Sequence, residues 1–111
     1  MTLGIRERDA FERLRAEGTR IHSSSLWCTY LPDPRTATCS TAFAIGRAVG
    51  PAVTRNRLRR RLRAVLTAHQ RTSPALPGYL LIGARPGSSE LTFAELRQEL
   101  LTLLDRLPTC P

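Results

Sequence analysis

The 111-residue chain contains no lysine, so all 17 of its basic residues are arginines, against 9 acidic residues. Only 5% of its residues are aromatic, which leaves few rings to serve both a core and a base-stacking surface. No apolar run approaches the ~20 residues of a membrane-spanning helix. The charged segment 1–9 also lacks the apolar stretch of a secretory signal. These absences predict a small, soluble, cytoplasmic protein with no membrane association.

Cysteine is scarce and poorly spaced for metal binding. Cys28, Cys39 and Cys110 form no CxxC pair and have no paired histidines nearby. Cys28 and Cys39 could face each other across a hairpin, but in a reducing compartment three unpaired thiols are the expected state. The acidic residues show no pairing typical of a metal-dependent nuclease. The sequence therefore predicts no metal site and no catalytic residue.

Acidic residues are absent from the middle of the chain. Between residues 34 and 89 there is no Asp or Glu, whereas ten arginines lie there. The net charge of +8 therefore belongs mainly to this segment. Such a local excess of positive charge is typical of proteins that bind a polyanion.

The first third of the chain combines one helix with several strand signals. Asp9 can cap the first helix, and Gly18 is a natural stop for it. Strand signals follow at residues 19–23, 26–31 and 39–45. Because a turn-forming segment, PDPR, separates the last two, they are predicted to pair as an antiparallel hairpin.

Two further helices and one strand complete the pattern. A helical apolar period is formed by Leu58, Leu62, Val65, Leu66 and His69. The apolar run at 79–84 predicts a central strand buried on both faces. Thr92 and Glu95 form a capping box, followed by a buried stripe of Phe93, Leu96, Leu100, Leu103, Leu104 and Leu107. The order helix, strands, helix, strand, helix predicts an α/β (α+β) fold, a two-layer sandwich with helices on a small sheet.

The segment 53–63, VTRNRLRRRLR, is the most informative. With the leucine stripe facing the core, a helical wheel places Asn56, Arg60 and Arg63 on the opposite side, Arg59 on one flank, and Arg57 and Arg61 on the other. Guanidinium groups donate paired hydrogen bonds to phosphates and stack on bases. An asparagine can contact a base edge or a 2′-hydroxyl. The segment therefore predicts nucleic-acid binding, with a merely solvated basic face as the alternative.

Residues 50–63, GPAVTRNRLRRRLR, resemble the RNR-motif region of the protein subunit of bacterial ribonuclease P. The family pattern is roughly GxAVxRNRx(K/R)R followed by (L/I)RE, and Ala64 stands here in place of the glutamate. The opening DAF at 9–11 with Gly18 also resembles the family, as does LIGARP at 81–86 followed by LTF. An RNR triplet alone is a weak signal, but the triplet between these flanks is specific.

The resemblance covers about residues 9–104. We therefore expect one RNA-binding domain over residues 1–111, with tails at 1–8 and 108–111. The resemblance implies the element order α-β-β-β-α-β-α in a fold like domain 2 of ribosomal protein S5. It also implies a left-handed crossover, although sequence physics alone favours the right-handed form.

The resemblance implies that the chain assists an RNA enzyme. In this family the RNA subunit performs the hydrolysis with Mg²⁺ bound largely by RNA, so no cofactor is expected on the protein. The protein binds the catalytic RNA and holds the 5′ leader of precursor tRNA in a cleft between the first helix and the sheet. Endonucleolytic removal of the leader then gives the mature tRNA 5′ end. We expect the protein to be a monomer within this ribonucleoprotein.

The family's site residues can be carried over by position. The resemblance assigns RNA binding to Arg47, Arg55, Asn56, Arg57, Arg59, Arg60 and Arg63. It assigns leader binding to Phe11, with Arg15 at a position that is often aromatic. Because Thr29 stands at the usual tyrosine position, the strand has a bulge there, or Trp27 or Tyr30 takes the stacking role. Two further rings, Phe43 and Phe93, are predicted to lie in the core.

Two other functions stay open at this point. A generic RNA- or DNA-binding module of the ribosomal type would not stimulate precursor-tRNA cleavage by ribonuclease P RNA. A stand-alone nuclease would cleave with Mg²⁺ and no RNA subunit, and the missing carboxylate pair argues against it.

Overall fold

The computed structural model describes residues 3–4, 8–33, 39–72 and 77–107. The strands are β1 Leu3–Gly4, β2 Thr19–His22, β3 Leu26–Pro32, β4 Cys39–Ile45 and β5 Gly78–Ala84. The helices are α1 Arg8–Glu17, α2 Ala52–Thr72 and α3 Phe93–Asp105, with 3-10 turns at Arg47–Val49 and Ser88–Glu90. This arrangement confirms the predicted α+β fold of helices on one small sheet. None of the described helices is both long and apolar enough to cross a membrane.

The sheet has the strand order β1-β4-β5-β3-β2. β2 and β3 form an antiparallel hairpin, β3 pairs antiparallel with β5, and β4 is parallel to both β1 and β5. β5 is central, as predicted. Parallel strands need a crossover, and α2 supplies it between β4 and β5. The short strand β1 and the start of α1 at Arg8, one residue before the expected Asp9 cap, were not anticipated.

The predicted β3–β4 hairpin is wrong. β5 lies between these two strands, so Cys28 pairs with Ile82 and Cys39 with Gly78. Local turn signals favour neighbours in sequence, whereas here a strand from much later in the chain takes the central place. Both cysteines are buried, unpaired thiols, and burial raises the pKa of Cys28 to about 11. The two thiols therefore do not face each other across a hairpin.

The main core lies between the sheet and the pair α2 and α3. It is built from Leu58, Leu62, Val65 and Leu66 of α2, Leu96, Leu100, Leu103 and Leu104 of α3, and Leu26, Tyr30, Leu80 and Ile82 of the sheet. These are the helical stripes that the sequence predicts. On β5, Leu80 and Ile82 are buried but Tyr79 and Leu81 are only half-buried. The central strand is thus fully covered on one face and partly covered by α1 on the other.

The capping box of α3 forms as predicted. The Glu95 amide donates to Thr92 Oγ1 at 3.1 Å, and the Thr92 amide donates to Glu95 Oε1 at 2.9 Å. These hydrogen bonds lower the pKa of Glu95. Phe93, assigned to the core by its helical spacing, is 45% exposed, so that assignment is wrong. Phe93 has the right angle for the buried stripe, but it lies in the first turn of α3, where the described residues leave much of its ring exposed.

Candidate nucleic-acid interface

α2 presents a face of basic side chains to solvent. Arg57, Arg60 and Arg63 are exposed, and Arg59 and Arg61 are half-buried along its flanks. The first turn of α2 contains no acidic residue. Within the part of the chain that the structure describes, no arginine of α2 forms an ion pair with a carboxylate, whereas Arg13 on the other side of the sheet pairs with Glu17 and Asp33. The guanidinium groups of α2 are therefore left available to an anionic partner.

Two hydrogen bonds orient polar side chains at the start of α2. Arg55 Nε donates to the Gly50 carbonyl at 3.2 Å, which ties the helix to the loop before it. Arg59 donates to Asn56 Oδ1 at 2.8 Å, and the side-chain N–H donors of the exposed Asn56 are left for a partner.

Two more observations on this basic surface concern Arg63 and Arg47. Arg63 lies over the half-buried Phe43 ring, with its guanidinium carbon 5.5 Å from the ring centroid. Arg47 is exposed on the 3-10 turn immediately before α2. The seven polar residues predicted to contact RNA thus all lie on α2 or on the turn that leads into it.

The flank of α2 carries a small recess that was not predicted from the sequence. Thr54, Arg57 and Arg61 line a small recess of about 10 Å³ together with Ser89 of the 3-10 turn before α3. The helical wheel indicated the flank position of Arg61, but nothing in the sequence signals Ser89, because the turn is brought to α2 only by the tertiary fold.

A cleft of about 270 Å³ separates α1 from the sheet. Its lining comprises Leu14, Arg15, Gly18, Arg20, Trp27, Thr29 and Leu81. The strands bring this set together because Arg20 pairs with Thr29, which in turn pairs with Leu81, and directly paired residues share one face of a sheet. The structure therefore places Arg15 and Trp27, two of the predicted leader-binding residues, in one cleft.

The Trp27 ring occupies the space beside Gly83, its partner on β5, where a Cβ would otherwise lie. A Cβ at Gly83 would overlap the indole atoms Cε2, Cζ2 and Nε1, so only glycine leaves room for the ring in this position. The Arg20 guanidinium carbon lies over the same ring, 4.2 Å from its centroid. Arg20 is a cleft residue that the sequence analysis missed, although its alternation with Ile21 on β2 could have indicated it.

Tyr30 does not belong to the cleft, which corrects one of the predicted leader contacts. Its ring is completely buried on the core face of β3, and its hydroxyl donates to the Pro77 carbonyl at 2.7 Å. Because successive strand residues point to opposite faces, Tyr30 and Trp27 cannot both line the cleft. The pairing of β3 is continuous through Thr29, so there is no bulge at that position. Phe11 lies in α1, but its side chain is outside the described residues.

One further arginine stands beside the Trp27 end of the cleft. Arg85 follows β5 and donates to His22 Nδ1 at 2.8 Å, which fixes the hydrogen of that imidazole on Nε2 while the bond is made. Among the described residues, no three His, Cys, Asp or Glu side chains come together as metal ligands. The polar groups of both surfaces are thus mainly hydrogen-bond donors, the complement of phosphate oxygens.

The amino-acid sequence is similar to those of known proteins. The family model for ribonuclease P matches residues 2–108. The ribonuclease P protein component of Micrococcus luteus is 34% identical over 92% of this chain and 85% of its own length. That of Beutenbergia cavernae is 37% identical over 86% of this chain and 79% of its own.

The fold is similar to that of solved structures. The ribonuclease P protein from Thermotoga maritima superposes with a TM-score of 0.82 at 22% identity, covering 95% of this chain and 97% of that one. The Staphylococcus aureus protein superposes with a TM-score of 0.81 at 19% identity, covering 91% of each chain. The family match and the relatives of similar length lead to one conclusion: the chain belongs to the ribonuclease P protein family and is the protein component of a tRNA-processing endoribonuclease.

Proposed function

We propose that α2 and the turn before it bind the catalytic RNA of the ribonucleoprotein. The proposed contacts are Arg47, Arg55, Asn56, Arg57, Arg59, Arg60 and Arg63. The observation that carries this proposal is the exposed arginine face of α2, which no described carboxylate neutralises. Guanidinium forks match phosphate oxygens, and each phosphate neutralised releases counterions, so binding weakens steeply with salt.

We propose further that the cleft between α1 and the sheet holds the 5′ leader of precursor tRNA. Trp27 and Arg20 supply stacking planes, and Arg15 supplies a cation at the rim. Phe11 on α1 stays a proposed contact from the resemblance, whereas Tyr30 is withdrawn because it is buried. Stacking is tolerant of sequence because every base has a π-face, and leaders of different sequence can therefore use the same cleft.

The proposed division of labour leaves the hydrolysis to the RNA subunit. Mg²⁺ ions held mainly by that RNA would activate the attacking water, while the protein binds and orients the leader. The protein acts as a monomer in this cytoplasmic ribonucleoprotein, and its effect on cleavage comes from binding precursor tRNA in preference to mature tRNA. The product is tRNA with a mature 5′ end.

A reconstitution experiment tests this function. The purified protein is mixed with a bacterial ribonuclease P RNA at low Mg²⁺, and cleavage of a precursor tRNA is followed. We expect cleavage at the mature 5′ end that neither component gives alone. Tight RNA binding without stimulation would instead leave a generic RNA-binding module. Cleavage by the protein with Mg²⁺ and no RNA subunit would indicate a stand-alone nuclease.

A further inference from the structure

We infer that the RNA-binding surface of α2 continues past the RNR motif to Arg71, in the last turn of the helix. This inference rests on the proposed function and adds one contact to it. The surface here is a recess of about 420 Å³ on the outward side of α2. Its lining comprises Arg60, Arg63, Ala64, Thr67, Ala68 and Arg71.

Helical geometry makes the recess long and open. Arg60 and Arg71 are eleven residues apart, which is about three turns, so their side chains leave the same side of α2 about 16 Å apart along the axis. Ala64 and Ala68 lie between them at four-residue steps and carry only a methyl group each. The recess therefore has a low floor of small side chains and a guanidinium at each end.

The charge of the recess is uncompensated. Arg60, Arg63 and Arg71 are exposed, and within the described ranges none of them forms an ion pair with a carboxylate. A cation in the last turn of a helix is favoured by the helix dipole, which would account for Arg71 alone. The dipole gives no reason for the cluster at the other end of the recess or for the small residues between.

The occupant that these features fit is a stretch of sugar-phosphate backbone of the catalytic RNA. Phosphates would contact Arg60 and Arg63 at one end and Arg71 at the other, where the guanidinium fork matches their oxygens. The intervening ribose would lie over Ala64 and Ala68, with the Thr67 hydroxyl within the same recess. Continuity favours RNA over an acidic protein, because Arg60 and Arg63 already belong to the proposed RNA-binding face.

The test uses the protein reconstituted with ribonuclease P RNA. Arg71→Ala is compared with Arg97→Ala, which removes an exposed arginine from α3, outside the recess. We expect Arg71→Ala to weaken RNA binding several-fold at moderate salt and to reduce the slope of log K against log salt by about one. Arg97→Ala should leave both unchanged. Equal affinities and slopes for the two variants would overturn the inference, as would weaker binding by Arg71→Ala without a change in slope.

A second pair of variants probes the floor of the recess. Ala68→Glu introduces a carboxylate there, and Ala68→Gln introduces a side chain of similar size without the charge. We expect the glutamate variant to bind RNA several-fold more weakly than the glutamine variant, with equal melting temperatures. Equal binding by the two would place the RNA elsewhere. Failure of the wild-type protein itself to bind the RNA would instead refute the proposed function.

Discussion

The Arg20 guanidinium carbon lies over the Trp27 ring, 4.2 Å from its centroid, and the same ring fills the space that a Cβ of Gly83 would take. The cleft therefore presents a layered cation and indole, held by the antiparallel pairing of β2 with β3 and of β3 with β5. An arginine plane over an aromatic ring can itself stack on a base and carries a charge for the adjacent phosphate. This pair occupies the same cleft face as Thr29, where the family has a tyrosine.

Replacing Trp27 by alanine should weaken precursor tRNA selectively. Loss of a stacking contact costs about 1–3 kcal/mol of binding free energy per base. Mature tRNA has no leader to stack on Trp27, so its affinity should not change. The affinities of the reconstituted enzyme for precursor and mature tRNA measure the effect. Phe93→Ala is the matched control, because it removes an exposed ring outside the cleft. Equal losses for both substrates would exclude Trp27 from leader binding.

Gly83→Ala should disturb the cleft without touching its lining directly. The new methyl group would overlap the Trp27 ring, which must then leave its place on β5. Overpacking of this kind costs about 1–3 kcal/mol of stability, and precursor affinity should fall with it. Gly46→Ala is the control, since a Cβ there meets no atom within 4 Å. A Gly83→Ala protein with wild-type affinity and stability would contradict the observed ring position.

Tyr30→Phe should affect stability but not substrate choice. The variant loses the hydrogen bond from the buried hydroxyl to the Pro77 carbonyl, a loss of about 0.5–1.5 kcal/mol. Denaturant unfolding measures the first effect, and the ratio of precursor to mature tRNA affinities measures the second. A changed affinity ratio in a protein of normal stability would indicate that Tyr30 contributes to leader binding.

The double variant Arg60→Ala, Arg63→Ala should weaken binding to the catalytic RNA. Each lost phosphate contact reduces the salt slope by about one, so we expect a decrease of roughly one to two. Binding titrations between low and moderate salt measure the slope. Arg97→Ala again supplies the control on α3. An unchanged slope would remove both arginines from the RNA interface.

The buried cysteines should resist modification in the native protein. In a Cys110→Ser background, we expect a thiol reagent at pH 8 to react with Cys28 and Cys39 only after unfolding. Burial raises the pKa of Cys28 from 9.0 to about 11 in the folded state. The buried neutral thiol therefore favours folding below about pH 9, and this contribution is lost as the pH rises toward 11. Rapid labelling of native protein would contradict the observed burial.

The features that could be predicted are those decided by local sequence. The Thr92 capping box and the leucine stripe of α2 depend on residues within a few turns, and both formed as expected. Strand pairing depends on segments far apart in sequence. The turn after β3 indicated a hairpin with β4, but β5 takes that place.

The residues of the candidate site likewise divide into those that local sequence predicts and those that only the tertiary fold brings together. The outward direction of Arg60 follows from the helical period alone. The segment 26–31 is mostly apolar, so its alternation does not reveal which ring faces the core. Only the tertiary structure separates Trp27 in the cleft from Tyr30 in the core. Likewise, Arg20 joins the site because β2 pairs with β3, and Ser89 because the turn before α3 packs near α2.

The central position of β5 also has a consequence for biosynthesis. In the described sheet, β5 alone joins the β1–β4 pair to the β2–β3 pair. The chain through Ala84 must therefore leave the ribosome before the two halves can join. Trp27 and the arginine helix α2 precede β5 in the chain, so both are synthesised before the strand that aligns them. Such long-range pairing slows folding, so the nascent chain carries its basic segment unfolded or only partly packed until β5 is free to pair.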